Sequence, residues 1–432
     1  MTPDTLPPPD ASDAGDRPRP DIDPLDERAA VDPALFEQPA EASPFARAVL
    51  TTPLHLAVAA ESRLNRWTAW NGFTVAALLT GFDDEYRALR GAAALTDISP
   101  LTKYRIAGRD AGAFLDRLVT ARVAPLAVDR AMHVLFCEEN GLLLGDGLLF
   151  RLADDEYRLV TEETHLAWLM DSAIGLRVRV EDVGDTLAAM SLQGPLAAAC
   201  LSAAGLAGIE NLPPMAGRWT AMAGMPLYVS RTGIGGDLGY ELWVDPEEAP
   251  HVWRHLMQAG APLGLRVAGM VLRELARLEA GLSRAGRDWL GAFAAIDPAH
   301  ALTPFEYGAE RQVDFGKPLF NGRAALLGRA GQTPPRRLVG LAVEGLEPAR
   351  FAAVMAGGRP VGIATTTGFS PAWGCNIALA TVETGALSAA LSVDAEIRDG
   401  LTLRRLALPA RLLAEPVWAP ARRHAVPAPL KA

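Results

Sequence analysis

Apolar and polar positions along this chain follow two different spacings, one typical of strands and one typical of helices. Residues 97–106 have the spacing of a strand. The apolar side chains after Asp110 share one face, which predicts a helix that Asp110 caps. Strands are also expected at residues 133–136 and 142–151, joined by a hairpin turn. Strands and helices therefore follow one another from residue 52 onward, and the pattern predicts an α+β fold.

The same spacings continue through the middle of the chain. Helices are expected at residues 163–172, from Pro195 onward, at residues 246–258 and at residues 267–279. Strands are expected at residues 227–230 and 239–244, on either side of a glycine-rich connection. The helix at 246–258 is the clearest, because its apolar side chains all lie on one side.

The pattern changes after about residue 330. A Gln-Thr-Pro-Pro boundary at residues 332–335 is followed by short strands between glycine turns, which is typical of a small all-β barrel or sandwich. These strands are expected at residues 338–343, 359–365, 377–381, 390–397 and 401–406. We therefore predict four parts: a tail at 1–48, a body at 49–330, a C-terminal β domain at 331–418 and a flexible tail at 419–432.

The formal charge of −10 is concentrated in the N-terminal segment. Residues 1–45 hold 11 of the 51 acidic residues, 3 of the 41 basic residues and 10 of the 33 prolines. Such a segment buries too little apolar surface to offset its ordering entropy, so we expect it to be disordered. The rest of the chain is nearly neutral, with 40 acidic and 38 basic residues, and suggests neither a nucleic-acid surface nor a polybasic membrane patch.

Cysteine usage and hydropathy bear on the compartment. Cys137, Cys200 and Cys375 are far apart and odd in number, so neither a disulfide framework nor a CxxC-type metal site is expected. No apolar run approaches the roughly 18 residues that a membrane span needs. The first residues also lack the basic and apolar regions of a secretory signal. We therefore expect a cytoplasmic protein.

Glu241 is the first candidate for chemistry. On a strand at residues 239–244, Glu241 and Trp243 share one face, while Tyr240 lies on the other. A carboxylate beside an indole suits a flat, nitrogen-rich heterocycle, which needs an acceptor for its N–H groups and a surface for stacking. An exposed glutamate on a half-buried strand is the alternative, and spacing alone favours it.

Two further groups are candidates. Arg273 lies on the predicted helix at 267–279, where it can bind a carboxylate through two hydrogen bonds or simply form part of a solvated face with ion pairs. Asp146 has a glycine on each side within an apolar strand, which indicates either a close approach of ligand or a tight turn. His133, on the partner strand of the same hairpin, is expected near Asp146.

Several short motifs occur in this chain in a fixed order from about residue 52 to residue 416. They are Thr-Pro-Leu-His at 52–55, Thr-Asp-Ile-Ser at 96–99, Leu-Gln-Gly-Pro at 192–195, Gly-Tyr-Glu-Leu at 239–242, Arg-Leu-Glu-Ala-Gly at 277–281, Pro-Phe-Glu-Tyr-Gly at 304–308, Phe-Asn-Gly-Arg-Ala-Ala-Leu at 320–326 and Phe-Ser-Pro-Ala-Trp-Gly at 369–374. In this series the chain resembles the tetrahydrofolate-dependent aminomethyltransferase family, which includes the glycine cleavage T-protein and related folate-dependent demethylases.

The resemblance implies a clover-leaf of three domains around a central folate channel, with the C-terminal β-barrel as the third domain. It implies tetrahydrofolate as the cofactor and places Glu241 where the family's glutamate binds the pterin ring. Arg273 is then expected to contact folate or to organise its pocket. The cofactor-binding residues that we expect are Glu241, Arg273, Tyr240, Trp243, Leu101 and Trp373.

Departures from the T-protein pattern guided the expected substrate. The T-protein has two adjacent aspartates where this chain has Gly145 and Asp146, and the first of them is the family's catalytic residue. The His-Met pair that follows Asp-Val-Ser in the T-protein is Pro100-Leu101 here, and the run after the Glu-Ala-Gly motif also differs. These departures favour a demethylase, in which a methyl group moves from a small O-, S- or N-methylated donor to N5 of tetrahydrofolate.

Such a transfer requires an in-line approach and an acid for the leaving group. Asp146, Tyr104 and His133 are the catalytic candidates. One alternative is a true aminomethyltransferase, in which Asp146 replaces the missing aspartate and a carrier protein is the partner. The other alternative is a folate-binding protein without catalysis.

Overall fold

The computed structural model describes residues 50–297, 300–345, 351–399 and 401–427. The tail predicted at residues 1–48 lies outside the described residues, as do residues 428–432 of the predicted second tail. In the described part of the chain, no helix is long and apolar enough to cross a membrane.

Helices and strands mix throughout the described residues between 50 and 330. The described helices are α1 (His55–Glu61), α2 (Phe82–Gly91), α3 (Ala111–Leu118), α4 (Leu166–Ser172), α5 (Ala197–Ala203), α6 (Ala249–Gly260), α7 (Met270–Glu279), α8 (Pro304–Tyr307) and α9 (Arg323–Arg329). The strands of this part are β1 (Leu50–Thr51), β2 (Arg66–Trp70), β3 (Phe73–Leu78), β4 (Ala93–Asp97), β5 (Thr102–Ala107), β6 (Arg130–Cys137), β7 (Leu143–Ala153), β8 (Glu156–Thr161), β9 (Arg179–Asp182), β10 (Ala188–Gln193), β11 (Gly217–Met222), β12 (Met225–Ser230), β13 (Gly239–Val244) and β14 (Leu265–Val267).

These strands form three open sheets. A six-stranded sheet has the order β11-β12-β13-β10-β4-β14, a five-stranded sheet has the order β6-β7-β8-β5-β9, and a small sheet has the order β1-β3-β2. In the six-stranded sheet β10 and β13 are buried along their whole length and pair antiparallel. Polar residues on these two strands therefore have to find partners inside the protein.

The strand predicted at residues 97–106 is confirmed only from residue 102 onward, where β5 begins. Asp97 is instead the last residue of β4, which lies in the six-stranded sheet, whereas β5 lies in the five-stranded sheet. A turn separates them, in which the amide of Leu101 donates to the carbonyl of Ile98. Pro100 lies inside this turn and cannot donate to a ladder of hydrogen bonds, so the chain passes from one sheet to the other at this point.

The last strands close into a barrel, which decides between the two β architectures expected from the sequence. They are β15 (Arg336–Val343), β16 (Ala352–Ala356), β17 (Arg359–Ser370), β18 (Cys375–Glu383), β19 (Leu391–Asp399) and β20 (Thr402–Leu412). Their order around the barrel is β15-β18-β17-β16-β19-β20. The α+β class and the C-terminal β-barrel are confirmed.

A buried ion-pair network joins α7 to the barrel. Arg277 binds Glu274 at 2.6 Å and Asp288 at 2.7 Å, and all three side chains are almost fully buried. The other oxygen of Asp288 accepts hydrogen bonds from the hydroxyls of Thr365 and Thr366 on β17, at 2.9 and 2.6 Å. Because buried charges require partners, this network fixes the barrel against the helix that lines the site.

The chain returns from the barrel to the six-stranded sheet after β20. The indole N–H of Trp418 donates to Asp237 at 2.9 Å, and the guanidinium of Arg422 binds both oxygens of Asp237 at 2.6 and 2.7 Å. Arg231 donates to the carbonyl of Arg423 at 3.2 Å. Residues 418–425 therefore pack against the connection between β12 and β13, although the sequence suggested a flexible tail from 419. The division of the chain into domains stays a prediction.

Candidate active site

A cavity of about 550 Å³ lies where the two large sheets, α7 and the barrel meet. Its walls come from β7, β8, β10, β13, α7, β15 and β18 and from residues 413–417. This volume is in the range that holds a small organic ligand.

Glu241 contributes a buried carboxylate to this cavity. It lies on β13, directly opposite Ser191 of β10 and Ser230 of β12. Glu241 is only 8% exposed to solvent. The hydroxyl of Thr232 donates to Oε2 of Glu241 at 2.5 Å. Burial raises the pKa of the Glu241 carboxyl above its usual value, against the opposing effect of the Thr232 hydrogen bond.

A chain of hydrogen bonds fixes the orientation of Glu241. The indole N–H of Trp243 donates to Oγ of Ser230 at 3.1 Å, and Oγ of Ser230 lies 2.7 Å from the hydroxyl of Thr232. An indole N–H can only donate and a carboxylate can only accept, so the hydrogen bonds run from Trp243 through Ser230 and Thr232 to Glu241. One carboxylate oxygen is thus engaged within the protein.

Asp146 and His133 form a second polar group in the cavity. Nε2 of His133 lies 2.8 Å from Oδ2 of Asp146, and Nδ1 lies 3.1 Å from the side-chain oxygen of Gln312. Burial acts to lower the pKa of His133, but Asp146 and Gln312 outweigh it, so the pKa lies above its ordinary value. The hydroxyl of Tyr307 donates to the same oxygen of Asp146 at 3.5 Å.

Gly145 lies on the other side of its strand. Asp146, Gly147 and Leu148 line the cavity, and Gly145 does not. A Cβ atom on Gly145 would lie 2.6 Å from Nε2 of His165 and 2.6 Å from the ring of Phe136. The position that we compared with the family's catalytic aspartate therefore faces a filled space behind the sheet.

Arg273 reaches the cavity from α7 and is held by an acidic partner. Its guanidinium binds Glu162 at 2.5 Å and lies over the ring of Trp70, 4.5 Å from the centroid. Arg284 binds the second oxygen of Glu162 at 3.0 Å. Both arginines lower the pKa of Glu162 against its burial, so this part of the wall is an ion-paired carboxylate.

Glu163 differs from its neighbour Glu162. Burial, and then the charge of Asp146, raise the pKa of Glu163 to about 7. Its carboxyl lies against two glycines, because a Cβ atom on Gly286 would lie 2.6 Å from Oε1 and one on Gly291 would lie 3.8 Å from Oε2. The Glu163 carboxyl, which feels the charge of Asp146, therefore gains or loses its proton near neutral pH.

Five of the predicted site residues line one cavity: Asp146, His133, Glu241, Arg273 and Leu101. The structure thus brings together residues that are up to 172 positions apart in the sequence. Their roles in binding and catalysis remain predictions.

Four predicted site residues do not line the cavity. Tyr104 is fully buried in the core behind the five-stranded sheet, where its hydroxyl accepts from the amide of His165 at 2.6 Å. Tyr240 is fully buried on the opposite face of β13 from Glu241. Trp243 is covered by Phe150 and Arg158, so it cannot stack on a ligand.

Trp373 is the fourth of these residues. Its ring is 42% exposed on a turn between two barrel strands and packs against Arg411, whose guanidinium carbon lies 4.8 Å from the ring centroid. A direct contact of Trp373 with a ligand in the cavity therefore has no support in this structure.

Sequence reasoning missed several polar groups of the site. Those that line the cavity or hold its residues are Glu162, Glu163, Ser191, Thr232, Arg284, Tyr307 and Gln312. Most of them lie at strand ends or in connections, where the spacing of apolar residues does not show which way a side chain points. The Thr-Glu-Glu-Thr run at residues 161–164, directly after a strand, was the clearest signal that was available.

Comparison with known proteins shows the family to which this chain is similar. The GCVT N-terminal domain matches residues 55–317, and the glycine cleavage T-protein C-terminal barrel domain matches residues 336–418. An aminomethyltransferase of Saccharopolyspora erythraea is 32% identical over 87% of this chain and 98% of its own length. Another, from Streptomyces avermitilis, is 34% identical over 69% of this chain and 81% of its own length.

A solved structure gives the same result for the fold. The crystal structure of the glycine cleavage system aminomethyltransferase T from Bartonella henselae superposes with a TM-score of 0.73 at 26% identity, over 84% of this chain and 96% of that one. The clover-leaf architecture of the aminomethyltransferase type is therefore confirmed.

These relatives correct the expected activity. We expected a demethylase that takes a methyl group from a small methylated donor, and this is wrong, since the relatives that cover most of the chain are aminomethyltransferases. The expectation rested largely on Gly145, where a Cβ atom would meet His165 and Phe136 and which does not line the cavity. The chain belongs to the glycine cleavage T-protein family of aminomethyltransferases and is an enzyme of that tetrahydrofolate-dependent class.

Proposed function

We propose that this protein transfers an aminomethyl-derived one-carbon unit to tetrahydrofolate. The observation that supports this most is the pair of carboxylates, Glu241 and Asp146, that face one cavity from two different sheets. Glu241 accepts from the neutral hydroxyl of Thr232, and Asp146 contacts the imidazole of His133. The two carboxylates are therefore suited to different tasks, Glu241 to ligand binding and Asp146 to proton transfer.

The cavity fits a reduced folate in shape and in chemistry. Its volume of about 550 Å³ suits a flat bicyclic ring with an attached aromatic group, and Ile98, Leu101 and Val160 provide apolar walls. Glu241 offers acceptor capacity beyond the oxygen engaged by Thr232, which suits the adjacent N–H groups of a pterin. Binding of the pterin by Glu241 would thus fix the ring's orientation.

The donor in this proposal is an aminomethyl group carried on the dithiol of a lipoyl carrier protein. Two C–N bonds form, to N5 and N10 of tetrahydrofolate, while the C–S and C–N bonds of the aminomethyl group break. The two protons displaced from N5 and N10 leave with the thiol and with ammonia. The products are 5,10-methylenetetrahydrofolate, the free dithiol and ammonia.

Asp146 is the group that moves a proton in this scheme. Its carboxylate accepts a proton from the folate nitrogen as the new bond forms, which contributes to the rate as general base catalysis. His133 donates to Oδ2 of Asp146 and holds the carboxylate in place. Tyr307 adds a second donor to the same oxygen.

The test is a product analysis with a matched pair of variants. Anaerobic incubation with tetrahydrofolate and the aminomethylated lipoyl carrier protein should yield 5,10-methylenetetrahydrofolate by mass spectrometry, together with one equivalent of ammonia. Asp146→Asn should lower kcat by about 10²- to 10⁴-fold. Asp155→Asn, at an exposed position, is the control and should leave kcat unchanged. Formation of 5-methyltetrahydrofolate from methylated donors, without ammonia, would refute the proposal.

A further inference from the structure

Ser191 stands beside Glu241 in the cavity and has no part in the chemistry described above. The two residues are directly opposite each other on the antiparallel strands β10 and β13, and both line the cavity. Side chains in this relation point to the same face of a sheet, with their Cβ atoms about 4.5–5.5 Å apart. A ligand edge held by Glu241 therefore lies within reach of the Ser191 hydroxyl.

Gln193 determines which way the Ser191 hydroxyl acts. The side-chain nitrogen of Gln193 donates to Oγ of Ser191 at 2.9 Å and lies 3.5 Å from the carbonyl oxygen of Thr232. A carbonyl can only accept, so the nitrogen of Gln193, and not its oxygen, faces Thr232 and Ser191. Ser191 thus accepts from Gln193, and its own proton is free to be donated into the cavity.

The position of Gln193 is itself fixed by close packing. Its amide lies against the glycines at 233, 235 and 239, where any added Cβ atom would meet it. The buried side chain of Gln193 is therefore packed between these glycines and the β10 strand that carries it. The hydroxyl of Ser191 is therefore a donor that is already in place before a ligand binds.

The Glu241 carboxylate presents hydrogen-bond acceptors to the cavity, and the Ser191 hydroxyl beside it presents one donor. Glu241 is placed by the family resemblance to accept from N3–H and the 2-amino group of the pterin, and we propose that Ser191 donates to the adjacent carbonyl oxygen O4. The inference rests on the proposed function, because it takes a reduced folate as the ligand. Ser191 is then the residue that selects a 4-oxo pterin over a 4-amino pterin, which presents a donor at that position.

Equilibrium binding of two ligands tests this inference. Tetrahydrofolate and its 4-amino-4-deoxy analogue are titrated anaerobically into the full-length protein and into the variants Ser191→Ala and Ser202→Ala. Loss of one hydrogen bond should weaken tetrahydrofolate binding to Ser191→Ala by about tenfold and leave the 4-amino analogue within about twofold. Ser202, on the exposed side of α5, is the matched control and should change neither.

Gln193→Met provides a second, independent variant. It removes the amide that orients Ser191 while keeping a side chain of similar length, so preference for the 4-oxo ligand should fall by about threefold. A structural defect would instead weaken both ligands equally. The readout is therefore the ratio of the two affinities, which general loosening of the site does not move.

The outcomes separate this inference from the proposed function. Equal changes for both ligands in Ser191→Ala, or no change for either, would overturn the role of Ser191 while leaving folate binding intact. Absence of tetrahydrofolate binding by the unmodified protein, or binding that Glu241→Gln does not weaken, would overturn the proposed function and this inference together.

Discussion

The imidazole of His165 occupies the space that a side chain on Gly145 would need. A Cβ atom at residue 145 would lie 2.6 Å from Nε2 of His165, and the ring of Phe136 blocks the same space. Phe136 and His165 pack edge to face, with ring centroids 4.9 Å apart. Burial lowers the pKa of His165 to about 4, so a neutral ring fills this space at physiological pH.

Restoring an aspartate at this position should therefore do harm. We expect Gly145→Asp to lower the free energy of unfolding by about 1–3 kcal/mol, because the added group overpacks a filled space, and to give no gain in kcat. Denaturant unfolding and product formation measure the two effects. Gly385→Asp, where a Cβ atom meets nothing within 4 Å, is the control and should be nearly neutral. A Gly145→Asp variant with raised kcat would contradict this reading.

Asp146 should control the ionisation of His133. Without the carboxylate, the burial of His133 acts unopposed except by Gln312, so Asp146→Asn should move the pKa of His133 downward. The stability contributed by this raised pKa is present at low pH and is lost as the pH rises through the folded-state pKa. Nitrogen-detected NMR titration of the histidine rings measures the shift. An unchanged His133 titration in Asp146→Asn would show that the contact between His133 and Asp146 does not raise the pKa of His133.

Glu163 should make stability fall as the pH rises. Its folded-state pKa of about 7 exceeds the unfolded value, so the folded state binds more protons between about pH 4.5 and pH 7 and loses stability over that window. Glu163→Gln removes this loss and should be more stable than the original protein at pH 8 by about 1–3 kcal/mol, with no such gain at pH 5. Urea unfolding at several pH values tests this. Glu247→Gln, at an exposed site, should run parallel to the original protein throughout.

The barrel should depend on Asp288 for its position. Asp288→Ala leaves the buried Arg277 short of a partner and removes the acceptor for Thr365 and Thr366, which should cost about 3–5 kcal/mol. Calorimetry should then show a broadened transition or two transitions as the barrel and the body separate. Asp154→Ala serves as the control, since that side chain is 97% exposed. A single sharp transition at the original temperature would argue that packing alone holds the barrel.

Local patterns predicted the helices, the strands and the class of fold. They failed to predict which sheet a strand joins and what surrounds a side chain. The short strands after residue 330 predicted a β domain because turn residues and alternation are local signals. The strand expected over residues 97–106 joins the last residue of β4, the turn at residues 98–101 and β5, which lies in a different sheet, and a repeat of two residues cannot reveal this change of sheet. Pro100 was the signal of the break.

The site shows the same limit. Period two correctly separates Glu241 from Tyr240, and the structure places them on opposite faces of β13. It also pairs Trp243 with Glu241, but it cannot show that Phe150 and Arg158 cover the indole. The indole instead reaches Glu241 through Ser230 and Thr232, a relation between two strands and a loop that no linear spacing contains.

The segment at residues 413–417 lines the cavity after the chain has passed through the whole barrel. During synthesis on the ribosome, the strands that carry Asp146 and Glu241 emerge long before this last piece of wall. The segment that follows it binds Asp237 through Arg422, so this part of the wall is added last. A ligand that contacts the whole wall therefore stabilises only the finished molecule and gives no help to the nascent body, which must fold on its own packing.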